Sequence, residues 1–331
     1  MNAPPHAAVS FRPARRWRLA ETIFWLVAAG TFFALPGHHL LLTEITIIGL
    51  FALSLDLILG YAGIASLGHA AFFGLGAYVA GLLAKHGWGD PLLGLAAAAG
   101  SAVLLGFLTS FLVLRGSDLT RLVVTLGIAL LLGEVANQAA WLTGGADGLQ
   151  GVDVAPLLGR FEFDFFGRTA YAYCLVVTFV LFLLARLIVN SPFGLSIRAV
   201  RDNPLRARAI GIPVNARLVA IYTLAAGYAG IAGALLAQTT QFVSLDVLAL
   251  HRSADVLLAV VIGGAGYLYG GFVGAVFLKV LQDVFSGITP QYWTFWIGLV
   301  LVILVLVGRE RAVGATREAI RRLVAASRGA R

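Results

Sequence analysis

The chain has 331 residues, 60% of them hydrophobic and 12% charged, with a formal net charge of +8 and a mean hydropathy of +0.90. Soluble domains are about half apolar and about a quarter charged, so a soluble enzyme or binding module is excluded. The apolar residues form continuous blocks long enough to cross a bilayer, which excludes the alternating strands of a transmembrane β-barrel. The expected fold is an all-α polytopic integral membrane protein. The 24 Lys+Arg against 16 Asp+Glu fit the arginine-rich cytoplasmic loops of such a protein. No aromatic-interleaved basic domain accompanies them, so no nucleic-acid partner is expected. Cys174 is the single cysteine; no intrachain disulfide can form, and the thiol is expected to pack as a small hydrophobe.

Arg12, Arg15, Arg16 and Arg18 precede a first apolar run near 19–36. No small-x-small cleavage site ends it convincingly, and more spans follow. The run reads as a retained first helix, with residues 1–18 a basic cytoplasmic tail. Further runs fall near 40–60, 65–84, 92–114, 122–142, 171–189, 218–238, 254–286 and 292–308. From a cytoplasmic N-terminus, 115–121 with Arg115 and Arg121 lands inside. Residues 143–170 land outside, where Asp147, Asp153, Glu162 and Asp164 outnumber Arg160 and Arg168. Residues 190–217 land inside with Arg198, Arg201, Arg206, Arg208 and Arg217, as the positive-inside bias requires.

The tail 309–331 holds seven arginines and two glutamates and is also expected to be cytoplasmic. Its stretch 315–326, with Arg317, Arg321 and Arg322, reads as a basic helix on anionic headgroups. Gly263, Gly264, Gly266, Gly270 and Gly271 interrupt 260–276. A turn there gives about ten crossings in all, and a dip that returns to the same side gives about eight. Irregular backbone at membrane depth needs cover from protein or a water-filled cavity, and ten is the favoured count. The hexapeptide GYAGIA occurs at 60–65 on an inward path and at 227–232 on an outward one. Inverted repeats are common in transporters, although six matches in a Gly/Ala-rich chain also arise by chance.

The segment 190–217 is the most charged inside the apolar region. Ser191-Pro192 and Asn203-Pro204 each place a capping residue before a helix-starting proline. Gly211 is suited to end the second helix and Pro213 to prevent its continuation. Two short capped helices are expected, with Leu205, Ala209 and Ile212 offering apolar contact and the arginines charge. A loop that only fixes topology needs no such construction, whereas a docking surface for a cytoplasmic partner does.

Several polar residues lie within apolar runs, where ionisable groups are functional by default. Asp56 precedes Gly60 by one turn. Gly60, Gly63, Gly68, Gly74, Gly76 and Gly81 serve either close helix packing or a broken helix lining a substrate route. Ser66 and His69 share a face if that segment is helical, and His69 is either a packed hydrogen-bonding residue or a pathway group. Glu134, Asn137 and Gln138 share one face of a helix, as a pathway lining or as a clamp to a partner subunit. Gln238 and Gln241 are candidates for substrate entry or ordinary interfacial residues. His38-His39 has no further ligands at metal-site spacing. Gly63 to Gly68 is no nucleophile elbow. No G-x-x-x-x-G-K-[ST] phosphate loop occurs, Lys85 and Lys279 being the only lysines.

Residues 194–212, GLSIRAVRDNPLRARAIGI, resemble the coupling loop of ABC importer permeases, and specifically the LivM type of branched-chain amino acid permease. Residues 59–81 resemble that family's glycine-rich motif, 142–152 (LTGGADGLQGV) its outer-loop motif and 260–275 its C-terminal glycine-rich motif, all in the family's order. Arg206 and Arg208 depart from it where an acidic residue is common. The resemblance implies ABC importer permease architecture, with 19–308 as the permease domain in a bacterial inner membrane. It implies a second permease forming a heterodimer, two cytoplasmic ATPase subunits that use ATP and Mg, and an extracytoplasmic substrate-binding protein. This chain would bind no cofactor and catalyse no reaction. Arg198, Arg201, Asp202, Asn203, Arg206, Arg208 and Gly211 would form the ATPase-coupling loop. Asp56, Gly63, Ser66, His69, Glu134, Asn137 and Gln138 would be candidate pathway residues. Alternatives are a permease for urea or short amides, an ion-coupled secondary transporter, which would want more buried carboxylates, and an intramembrane enzyme, for which no nucleophile–base or metal constellation exists.

Overall fold

The computed structural model describes residues 19–300 and 302, apart from 165, 293 and 294. Both basic tails, including the arginine helix expected at 315–326, lie outside the described residues. The chain divides into units 1–275 and 276–331, and the packing below concerns the first.

The α-helices in chain order are α1 (Leu19–Ala34), α2 (His39–Leu59), α3 (Ala70–Lys85), α4 (Pro91–Val113), α5 (Asp118–Gln138), α6 (Ala140–Thr143), α7 (Arg168–Val189), α8 (Pro192–Asp202), α9 (Pro204–Ala209), α10 (Val214–Thr240), α11 (Leu250–Gly263) and α12 (Gly270–Ile288). No strand pairing beyond two isolated bridges occurs among the described residues. Local chemistry sets the ends: Asp90 accepts the Leu92 amide at 2.8 Å and Pro91 opens α4, a cap followed by a residue with no N–H to satisfy. Helices α2, α4, α5, α7, α10 and α12 are long and apolar enough to cross a membrane, and α1 and α3 are shorter apolar helices. Thus the all-α polytopic expectation holds. The glycine segment turns at 264–269, with Gly264 at φ +101° and Gly266 at +85°. It separates α11 from α12, as both the eight- and the ten-crossing arrangements require. The 14 residues of α11 rise only ~21 Å, less than the ~30 Å hydrocarbon core.

Helices α2 and α10 form the centre: 72% of each apolar window is buried within the chain, against 22% in α4 and 17% in α5. Apolar side chains gain nothing by leaving lipid for protein, so membrane helices associate through close backbone approach. The α3–α10–α4 layers do this with glycine. A Cβ added at Gly76 would lie 2.1 Å from the Gly230 carbonyl oxygen, and one at Gly233 1.8 Å from that of Phe73. On the α4 side, a Cβ at Gly230 would meet Ala102 at 2.4 Å and one at Gly106 would meet Ala226 at 2.5 Å. Gly76 and its neighbours in α3 therefore serve packing.

Candidate functional site

The site is built around the ten residues between α2 and α3. Gly60 still donates its amide to the Asp56 carbonyl at 2.7 Å, but Gly63 takes φ +73° and the chain stays non-helical until His69. Ser66 and His69 therefore share no helical face; both are buried in the break instead. His69 pairs through Nε2 with Ser54 Oγ of α2 at 2.9 Å, and its ring lies parallel to Phe51 with centroids 5.6 Å apart. The freed backbone donors find side-chain hydroxyls. The Leu67 amide donates to Thr125 Oγ1 of α5 at 3.2 Å, and the Ala70 amide to Ser253 Oγ of α11 at 2.9 Å. This is how unwound backbone survives inside a bundle. Ser66 Oγ, His69 Nδ1 and Asp56 Oδ2 are buried without a hydrogen-bond partner among the described residues. Buried polar atoms are nearly always partnered, so these three are candidates for a ligand or water contact.

At the end of α2 the break meets the arginine segment. The Asp56 carboxylate accepts the Gly266 amide through Oδ1 at 2.7 Å, tying α2 to the 264–269 turn. Arg201 of α8 donates from its guanidinium to the Gly60 carbonyl oxygen. Arg198, one turn earlier, lies over the Tyr61 ring at 5.2 Å, within cation–π range. Glycine is required at 60 because a Cβ would stand 2.1 Å from Asp56 Oδ1 and 2.3 Å from the Gly266 amide nitrogen. Beside this knot is a cavity of about 280 Å³ lined by Glu21, Tyr61, Arg186, Arg198, Arg201 and Tyr269, among others.

The segment 191–213 folds as its caps dictate. Ser191 Oγ accepts the Gly194 amide at 3.4 Å, a long bond, and Asn203 Oδ1 accepts the Arg206 amide at 2.9 Å. Gly211, at φ +86°, follows α9. Helix α8 buries Gly194, Ile197 and Val200. Asp202, Asn203, Arg206, Arg208 and Gly211 are exposed, as is Leu205 at 74%. The arginines thus divide by contact: half-buried Arg198 and exposed Arg201 reach Tyr61 and Gly60 of the break, while Arg206 and Arg208 lie exposed on α9.

Helix α5 does not bring its polar residues to this site. Glu134, Asn137 and Gln138 are exposed, and Gln138 Nε2 donates to Glu134 Oε1 at 2.7 Å. A polar face on a membrane helix needs protein or water against it, not lipid. Gln238, open in sequence between an entry and an interfacial role, lies inside the bundle. It is buried at 2% exposure, accepts from the Tyr173 hydroxyl at 2.9 Å and donates to the Pro91 carbonyl at 2.8 Å. Ser54, Thr125 and Ser253 escaped the sequence reading. Their signal is a hydroxyl within an apolar run, which is indistinguishable from one bonded to its own helix. The Glu21–Arg186 pair, 3.1 Å apart, escaped it for want of any local pattern across 165 positions.

A family model described as branched-chain amino acid transport system permease component matches residues 39–306. The high-affinity branched-chain amino acid transport permease LivM of Escherichia coli K12 is 28% identical, over 92% of this chain and 76% of its own length. The fructose import permease FrcC of Rhizobium meliloti is 28% identical, over 87% of this chain and 82% of its own. The autoinducer 2 import permease LsrC of Escherichia coli O9:H4 is 30% identical, over 72% of this chain and 69% of its own. No solved structure matches the chain.

Proposed function

Because the chain belongs to the branched-chain amino acid transport system permease family, we propose that it carries a branched-chain or other small amino acid across the bacterial inner membrane. It is an ABC-type permease component, and ATP hydrolysis belongs to separate subunits. The proposed assembly adds two ATPases on the cytoplasmic side, which use ATP and Mg, a second permease and an extracytoplasmic binding protein. The permease itself holds no cofactor. Both its termini are cytoplasmic, with 1–18 and 309–331 as tails around the permease domain.

One observation supports this reading above the rest: the α8 guanidinium that the sequence places in a docking loop is bonded to the Gly60 carbonyl, where α2 unwinds. In this mechanism the ATPases grip the exposed surface of α8 and α9, through Asp202, Asn203, Arg206, Arg208 and Gly211. Arg201 and Arg198 carry the displacement to Gly60 and Tyr61. Asp56 passes it to the 264–269 turn through Gly266. Gly63, Ser66 and His69 then rearrange along the route, an alternating-access step. Glu134, Asn137 and Gln138 of α5 face the second permease and complete the route from its side.

The test is reconstitution of the chain with its partner subunits in vesicles, ATP within and binding protein outside. Leucine accumulation that needs nucleotide is expected, and changing Arg198 and Arg201 together to Glu abolishes it. Accumulation by the chain alone from an ion gradient overturns the reading. The fructose permease likeness over 87% of this chain favours a second reading, a sugar-like polar solute. The same vesicles decide it with labelled fructose, and urea tests the short-amide alternative.

A further inference from the structure

The Glu21–Arg186 pair joins α1 to α7, and its side chains are only 9% and 12% exposed. It stands where two different surfaces meet. Toward α8 lies the cavity of about 280 Å³, lined by Arg186, Arg198 and Arg201, with Glu21 the one carboxylate in its lining and Asp56, behind it, attracted to Arg201. Arg198 and Arg201 make no ion pair among the described residues. Asp56 behind them engages Oδ1 with the Gly266 amide. Along the same two helices runs an apolar groove of about 660 Å³, lined by Trp25, Leu26 and Ala29 of α1 and Leu175, Val176 and Phe179 of α7.

Helical spacing connects the two. Leu175, Phe179 and Arg186 follow at i, i+4 and i+11, one face of α7. Glu21 and Trp25 are i, i+4 on α1. Leu26 and Val176 are 67% and 62% exposed, so the groove opens to where lipid chains lie. A cationic pocket at the end of a lipid-facing apolar groove has the polarity of a phospholipid laid lengthwise. Excess positive charge selects an anionic headgroup over a zwitterionic one.

We infer that α1, α7 and α8 form a binding site for an anionic phospholipid, its phosphate among Arg186, Arg198 and Arg201 and an acyl chain along Trp25 and Phe179. The site touches the two arginines that hold the α2 break, so an occupied pocket stiffens that linkage.

Trp25 is the built-in reporter. The full chain is reconstituted in phosphatidylcholine vesicles carrying a small equal fraction of phosphatidylglycerol or phosphatidylcholine brominated near the headgroup. The share of fluorescence quenching that Trp25→Phe removes is then read for each lipid. Brominated phosphatidylglycerol is expected to quench Trp25 at several-fold lower mole fraction than brominated phosphatidylcholine. Arg198→Gln shifts that preference by about fivefold, the weight of one arginine near a charged surface. Arg206→Gln with Arg208→Gln, in the same segment but outside the cavity, leaves it unchanged. Equal quenching by both lipids, or loss of preference with the outer arginines alone, overturns the site as mere surface attraction. Displacement by millimolar inorganic phosphate overturns it in favour of a free anion. Because Arg198 has no carboxylate to strand, its change to Gln tests the pocket without breaking the Glu21–Arg186 pair.

Discussion

Residues 60–65 and 227–232 are the same hexapeptide, GYAGIA, and fold differently. The second copy is regular helix in the middle of α10; the first is the unwound end of α2. Tyr61 and Tyr228 are equally buried, at 6% exposure each, but Tyr61 lies under Arg198 while the Tyr228 hydroxyl donates to the Leu181 carbonyl of α7 at 3.1 Å. The glycines exchange roles as well. At the fourth position, Gly230 is held between backbones, whereas Gly63 needs its positive φ. At the first, Gly60 is pressed between Asp56 and Gly266, whereas Gly227 faces one side-chain methyl of Val103 at 2.8 Å. Six residues do not fix a conformation when their neighbours across the bundle differ.

The contrast is sharpest at the fourth glycine of the helical copy. Gly230→Val puts atoms where Ala102 Cβ and the Ala98 carbonyl already stand at 2.4 and 2.8 Å. Overpacking costs about 1–3 kcal/mol or more, and here backbone must yield, so the yield of monodisperse protein should fall at least about tenfold. Normal yield would falsify the close approach of α4 and α10. Next is the first glycine of the unwound copy: Gly60→Ala should leave a folded protein whose transport is below about a tenth of normal, because the Asp56–Gly266 tie must open at a cost of about 1–3 kcal/mol. Transport and thermal midpoint measured together check this, and a drop in both to the level of Gly230→Val would make position 60 a packing site instead.

Arg201→Ala removes a charge-assisted hydrogen bond worth about 1.5–3 kcal/mol. It should uncouple ATP hydrolysis from uptake by about tenfold while ATPase subunits still co-purify. Arg206→Ala should instead weaken co-purification. If both variants behave alike, the division of the arginines by contact is wrong. Gly63→Ala pays only for a positive φ, about 1 kcal/mol, with the Arg201 Cγ 3.1 Å away as a further squeeze, and should slow uptake two- to fivefold, by order of magnitude. The smallest effect is expected at Gly227→Ala, where a helix former replaces glycine at a site that a side-chain rotation can open. A thermal shift within about 0.5 kcal/mol of zero is expected, and a large loss would show that Val103 cannot move.

Much of this was readable beforehand because it is local. Ser191-Pro192, Asn203-Pro204 and Gly211 specify two short helices through caps that act within four residues. The glycines at 263–271 announced a turn by removing the steric bar to positive φ. The grouping at the site was not readable. Asp56 and Gly266 lie 210 positions apart, and Arg201 and Gly60 lie 141 apart. Gln238 was open between an entry and an interfacial role, and the structure instead buries it against Tyr173 and Pro91, since a polar residue in an apolar run carries no mark of what faces it.

Hydropathy and cap residues alone determined an all-α polytopic membrane protein with two capped helices in its charged loop, because transfer into a bilayer and helix capping depend on short stretches of chain. Which glycines pack and which unwind, and which arginines reach the break, was decided only when α2, α8 and the 264–269 turn met. Those choices follow from backbone atoms brought within hydrogen-bonding distance across the bundle, and no short stretch of sequence encodes that distance.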